Sequence, residues 1–125
     1  MKPLVGTDIV ETARIGHAAA RWGDRFLVRV FTPREIEHCR GRAEKLAGRF
    51  AAKEAGAKLL GSGLGRIGWQ DIETLALPGG QPQMVLHGHA QQLAGELGVS
   101  HISLSLSHTS LYAIAVAAAI TEKTM

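Results

Sequence analysis

A single cysteine, Cys39, has no partner within the chain, so a disulfide-stapled scaffold of the secreted kind is excluded. Aromatic residues are scarce: two Trp, one Tyr and three Phe in 125 residues. None of them interleaves with a basic stretch, so the base-stacking series of a single-strand nucleic-acid binder is missing despite a net charge of +3. No apolar run nears the ~20 residues that cross a bilayer; the longest, Leu111 to Ile120, is far too short. Met1-Lys2-Pro3-Leu4-Val5-Gly6-Thr7-Asp8 sets a carboxylate where a signal peptide carries its apolar core. A cytoplasmic protein with neither nucleic-acid nor membrane partners is expected. Repeats, low-complexity tracts and linkers are also lacking, so residues 1–125 are expected to fold as one domain.

What is present is an ordinary globular balance, 46% hydrophobic and 20% charged. A chain of this length buries roughly two-thirds of its unfolded surface and needs no metal or disulfide to fold. The mild positive charge favours acidic proteins or phosphorylated small molecules as partners.

Leu4 to Val10 reads as a first strand. Glu11 to Arg25 has helical spacing, with Ile15, Ala18, Ala19 and Trp22 on one side. Thr32-Pro33-Arg34-Glu35 combines an N-cap, a proline at the first helical position and a capping-box glutamate, which predicts a second helix ending near Gly41. A third helix is predicted from about Ala43 to Leu60, closed by Gly61-Ser62-Gly63. Trp69 to Leu77 and Gln83 to Leu86 read as strands around the turn Pro78-Gly79-Gly80-Gln81-Pro82, and a helix follows to Leu97. Ile102, Leu104 and Leu106 alternate with serines in a half-buried strand, and Leu111 to Ile120 is expected to return as a more fully buried strand. The class is α+β, an antiparallel sheet packed with helices.

Asp8 lies inside an apolar strand, where an unpartnered carboxylate costs several kcal/mol. Two readings stand: a cap for the following helix, or a ligand for a hard metal ion. Glu54, four residues before Lys58, makes an ordinary helix pair. Arg49 and Lys53 are four apart with like charge, and Lys45 extends the row. A solvated face is the commoner source of such a row; a phosphate held from one side is the other. The glycines after Leu60 close a helix rather than open one, so they are no generic nucleotide loop. His87 and His89 are poorly spaced for shared metal ligation, and His108 reads first as a turn residue. Arg14, Arg21 and Arg25 fall roughly on one helical face, a solvated face or a dock for an acidic helix.

Three blocks then combine: Gly6-Thr7-Asp8-Ile9-Val10-Glu11, Arg49-Phe50-Ala51-Ala52-Lys53-Glu54-Ala55, and Leu104-Ser105-Leu106-Ser107-His108-Thr109 followed by Tyr112-Ala113. In order and spacing they resemble the signature blocks of holo-acyl-carrier-protein synthases, small 4′-phosphopantetheinyl transferases, and the resemblance covers nearly the whole chain. It implies that Asp8 and Glu54 hold Mg²⁺ against the pyrophosphate of coenzyme A. A serine of an apo acyl carrier protein then takes the phosphopantetheine group, for fatty acid biosynthesis. Lys58 is implied at the phosphates or the reacting serine, and Glu54 as acceptor of the serine proton. Arg49, Lys53, His108 and Thr109 are expected around the coenzyme's phosphates. Gly61, Ser62, Gly63, Gly80 and Pro82 are expected along its channel. The resemblance further implies a 4′-phosphopantetheinyl transferase-like fold, a homotrimer with coenzyme sites between subunits, and docking of the carrier on Arg14, Ala18, Arg21 and Trp22. Gln81 stands where a lysine is usual, and Ala18 is smaller than usual; neither touches the metal pair. Another Mg²⁺-dependent phosphotransferase or phosphohydrolase and a non-catalytic binding module are the competing readings.

Overall fold

A computed structural model describes residues 1–122 and builds them around β1 (Lys2–Glu11), β4 (Ser103–His108) and β5 (Tyr112–Thr121). These strands form an antiparallel sheet in the order β1-β5-β4. On β5 the side chains alternate strictly, with Ala113, Ala115, Ala117 and Ala119 turned inward. Short side chains there leave room for a helix to lie close, and α4 (Ala43–Leu59) takes that place with Ala51, Ala52 and Ala55 fully buried. The approach is closest at Gly6 on β1. A Cβ built there would stand 2.0 Å from the Ala55 carbonyl oxygen and 2.7 Å from the Leu59 nitrogen.

The other elements surround α4. These are α1 (Thr12–Trp22), α2 (Asp24–Val30), α3 (Pro33–Cys39) and α5 (Gly88–Leu97), with a second antiparallel sheet of β2 (Ile72–Ala76) and β3 (Pro82–Leu86). Thr32 caps α3 as its sequence requires: its hydroxyl accepts from the Glu35 amide while the Glu35 carboxylate accepts from the Thr32 amide. The α+β class with antiparallel sheets is therefore observed.

Two expected elements differ. The helix expected from Glu11 to Arg25 breaks at Gly23, whose φ of 55° no β-carbon residue adopts cheaply. Asp24 then starts α2 in a new direction, so Arg25 leaves the face that carries Arg14 and Arg21. The strand expected from Trp69 starts only at Ile72, because Trp69–Asp71 forms a 3₁₀ turn. The Asp71 carboxylate holds that turn by accepting from the Gly68 amide, and its carbonyl accepts from the His87 amide.

The sheet's outer face carries an apolar stripe beside the outward Thr7 of β1 and the outward serines of β4. Val5 and Ile9 of β1 lie level with Ala118 and Ile114 of β5, and Val116 and Ile120 continue the stripe. Val5 is 64% and Ile9 59% exposed, and contiguous apolar surface of this kind marks an interaction face.

A buried acid adds a pH dependence. Glu73 on β2 accepts from the Thr32 hydroxyl and pairs with His87 Nε2 at 3.0 Å. Burial pushes its pKa up, but the Thr32 and His87 hydrogen bonds, with the charges of His87 and Arg34, prevail and hold it below the usual glutamate value. A depressed folded-state pKa contributes stability above the unfolded value, near 4.5, which is lost as pH falls through the folded one. Glu73→Gln is expected to cost about 1–2 kcal/mol at pH 6. The gap between parent and variant, read from urea unfolding, is expected to close as pH falls below 4.5. A gap that stayed constant with pH would show that Glu73 acts through packing alone.

Candidate active site

Along β1 the even-numbered residues face α4, so Asp8 points into the angle between sheet and helix while Thr7 and Ile9 face out. Glu54 on α4 and Lys58 one turn later meet it there. Lys58 Nζ donates to Asp8 Oδ1 at 3.2 Å and to the Thr7 carbonyl at 2.9 Å. The Glu54 carboxyl is raised above the usual carboxylate value, first by burial and then by the charge of Asp8; Lys58 and Arg14 oppose the rise. The three residues expected to carry the chemistry therefore share one place, with Arg14 of α1 as a fourth charge.

A Glu54 carboxyl whose ionisation is opposed by the neighbouring Asp8 charge suits a cation between the two. Their oxygens are hard ligands, and among the described residues no group of three or more His, Cys, Asp or Glu is gathered for a metal. A pair of carboxylates leaving other positions to phosphate and water is the donor set of Mg²⁺ rather than of zinc. The residues fit the ion.

Arg49 and His108 also come together. With Arg42, Lys45, Gly48 and Ser107, and with Glu44 as the one acidic member, they line a cavity of about 280 Å³ between α4 and the end of β4. Arg49 is buried and its Nε has no hydrogen-bond partner in the described structure, so a buried guanidinium edge awaits an acceptor. Arg42 and Lys45 also line a neighbouring cavity of about 610 Å³ with Arg34, His38 and Arg40. Thr109 sits in the β4–β5 turn, where its hydroxyl accepts from the Leu111 and Tyr112 amides.

Lys53 is a correction. Expected beside Arg49 at a phosphate, it is wholly buried on another side of α4. Its ammonium donates to Glu35 Oε1 at 2.7 Å, the Trp69 carbonyl at 2.9 Å and the Ile72 carbonyl at 2.6 Å. All three donors are spent, so none remains for a ligand. Burial pulls the Lys53 pKa down, and the charge and hydrogen bond of Glu35 resist.

Gly61 and Ser62 line a cavity of about 270 Å³ with Arg66, Ile67, His89 and Gln92, and exposed Gly63 follows them. Gly80 and Pro82 lie on a separate element, the β2–β3 hairpin. Gly80 turns the chain with φ 87° and Pro82 opens β3 opposite Ala76.

On α1, Arg14, Arg21 and Trp22 are exposed and Ala18 is half-buried, with the Arg21 guanidinium 4.9 Å above the Trp22 ring. Sequence reading missed how this surface continues onto α2. Trp22, Arg25, Phe26, Arg29, Phe50 and Trp69 line a groove of about 460 Å³, floored by the Phe50–Trp69 ring pair at 4.9 Å. The signal was present in Gly23-Asp24, a stop and a restart that helical periodicity alone passes over.

Residues 4–117 match the pattern of the 4′-phosphopantetheinyl transferase superfamily. The chain is 50% identical over 114 residues to a holo-[acyl-carrier-protein] synthase of Koribacter versatilis, covering 88% of this chain and 91% of that one. It is 52% identical over 115 residues to another of Moorella thermoacetica, covering 90% and 89%. Among solved structures it resembles the holo-[acyl-carrier-protein] synthase of Helicobacter pylori in complex with coenzyme A, with TM-score 0.86, 33% identity, and 94% and 100% of the two chains covered.

Proposed function

The chain belongs to the 4′-phosphopantetheinyl transferase superfamily, and on that premise we propose that it transfers the 4′-phosphopantetheine group of coenzyme A to a serine of an apo acyl carrier protein, releasing adenosine 3′,5′-bisphosphate. The observation that carries this reading is the meeting of Asp8, Glu54 and Lys58 in one angle of the fold, with the basic Arg49–His108 cavity on the same helix. Asp8 and Glu54 would hold Mg²⁺, which would supply charge neutralisation at the pyrophosphate of the coenzyme. Lys58, 55% exposed at its side chain, swings between Asp8 and the phosphate oxygens. Glu54, whose raised pKa brings it nearer the working pH, accepts the serine proton directly or through a water. Phosphoryl transfer of this kind asks the protein for position and charge rather than covalent help.

The Arg49–His108 cavity suits the coenzyme's 3′-phosphate, and Gly61, Ser62, Gly63, Gly80 and Pro82 border the rest of its path. Arg49 and Glu54 lie five residues apart on α4, about 140° around its axis. One coenzyme reaches both most readily when the 3′-phosphate cavity belongs to a neighbouring protomer. The apolar outer stripe of Val5, Ile9, Ile114, Val116 and Ile120 is the surface that joins such copies, and a trimer is the arrangement proposed. We place the enzyme in the cytoplasm, in fatty acid synthesis. Among the described residues no helix is long and apolar enough to cross a membrane.

Carrier docking falls to Arg14, Ala18, Arg21 and Trp22, extended by Arg25, Phe26 and Arg29 of the α2 groove. Because Arg14 also acts electrostatically on Glu54, the clean test uses the residues further out. Arg21→Glu with Arg25→Glu is expected to weaken apo-carrier binding by about tenfold or more, since reversed charges repel an acidic partner. Coenzyme affinity is expected to change by less than about twofold, because neither side chain reaches its cavity. Calorimetric titration with each ligand separates the two; equal loss of both would remove the docking assignment. For the reaction itself, adenosine 3′,5′-bisphosphate is expected from coenzyme A only when apo carrier is supplied. Release without carrier would mark a phosphohydrolase instead.

A further inference from the structure

The alanine-rich face of α4 packs on β1 and β5, with Ala51, Ala52 and Ala55 buried together with the inward Ala113, Ala115 and Ala117. Contacts between methyl groups are non-directional and specify poorly how far a helix is rotated about its own axis. Rotation matters here, because a turn of 20° carries a side-chain tip about 2 Å around a helix of ~5–6 Å radius. Displacements of 1 Å at a reacting centre already cost activity.

One buried group on α4 is directional. Lys53, next in sequence to Glu54, has all three ammonium protons fixed: one on Glu35 of α3, two on the carbonyls that begin and end the Trp69–Ile72 segment. Glu35 is itself immobilised. Its Oε1 also accepts from the Thr32 amide and its Oε2 accepts from the Thr74 amide at 2.9 Å. The network is complete, so it ties α4 to α3 and β2 at one point without strain from unpaired groups. A buried ion pair of this type contributes little net stability over an apolar pair of equal size.

We propose that Lys53 is a positioning residue, whose three-point anchorage on Glu35, Trp69 and Ile72 sets the rotation of α4 and so holds Glu54 facing Asp8. The proposal rests on the reading of Asp8 and Glu54 as the metal pair. It also explains why a side chain with no donor left for a ligand sits beside the glutamate assigned to the metal.

Lys53→Met, of similar length without charge, and Glu35→Gln, which keeps an acceptor for a neighbouring amide, both loosen the anchor. Mn²⁺ binding to the coenzyme-saturated protein, read by electron paramagnetic resonance with no carrier present, is expected to weaken by about tenfold, as for other groups that orient a metal ligand. In steady state kcat is expected to fall by a similar factor, with the KM for coenzyme A within about twofold of the parent. Ile102→Val, a core change in the segment just before β4 costing about 1 kcal/mol, should leave both quantities unmoved at a temperature where all variants are folded. Should Lys53→Met fail to fold, Glu35→Gln carries the same two readouts. A folded variant whose Mn²⁺ affinity and kcat both stay within twofold of the parent overturns the positioning role. Mn²⁺ binding that survives Glu54→Ala overturns the metal reading beneath it, and the positioning role falls with that.

Discussion

The Glu54→Ala variant is expected to lose at least about three orders of magnitude in transfer rate, equivalent to about 4 kcal/mol of transition-state stabilisation, and to keep its fold. Removing it takes away one of two cation ligands and the proton acceptor together, and charge stabilisation at the phosphates is the largest contribution the site makes. The fold survives for a separate reason. Burial and the charge of Asp8 hold the Glu54 pKa above its usual value. A carboxyl with a raised folded-state pKa favours the folded state below its unfolded value, near 4.5, and loses that contribution as pH rises. At neutral pH its charge is therefore a burden, and alanine is the better helix former. The thermal midpoint of Glu54→Ala is expected at or slightly above that of the parent. A variant that retained a tenth of the parent rate would show that Glu54 neither holds the ion nor takes the proton.

Gly6→Ala is expected to have the opposite signature, with stability lost first and activity as a consequence. Its methyl group would enter the backbone of α4, 2.0 Å from the Ala55 carbonyl oxygen. Backbone cannot rotate aside as a side-chain tip can, so β1 and α4 must part. Overpacking of a core in this way costs typically 1–3 kcal/mol, and a clash with backbone belongs at or beyond the top of that range. About 3 kcal/mol corresponds to a fall of about 10 °C in thermal midpoint for a domain of this size. Since Asp8 and Glu54 sit on the two elements that separate, the folded remainder at low temperature is expected to bind Mn²⁺ more weakly as well. Gly95→Ala is the control. Nothing lies within 4 Å of its added carbon, and on α5 it is expected to stabilise by up to about 1 kcal/mol.

Part of the geometry around Asp8 is legible in the sequence. Asp8 was conspicuous as a charge within an apolar strand, and the structure turns it toward α4 rather than letting it cap α1, whose N-cap is Glu11. The alternation of Leu104 and Leu106 with serines in β4 and the Thr32–Glu35 capping box are local patterns that survive folding, whereas Leu111 to Ile120, read as more fully buried, exposes every second side chain of β5. Lys53 was misread because helical spacing reports which residues share a face and says nothing of what covers that face. An exposed amphipathic helix would have put Arg49 and Lys53 in water. α4 is enclosed on nearly every side, so both are buried. Lys53 is matched to Glu35, 18 residues away on a helix whose position no local pattern reveals. The α2 groove was hidden for a similar reason: it exists only because Gly23 redirects the chain against Phe50 and Trp69.

The central claim is a covalent transfer, and mass spectrometry of an apo acyl carrier protein reads it directly. After incubation with this protein, coenzyme A and Mg²⁺, the carrier is expected to gain one phosphopantetheine group on its serine, and the gain is expected to vanish with EDTA or with Glu54→Ala. An unchanged carrier mass across several apo carriers, with coenzyme A bound but intact, would contradict the account and leave a binding protein in its place.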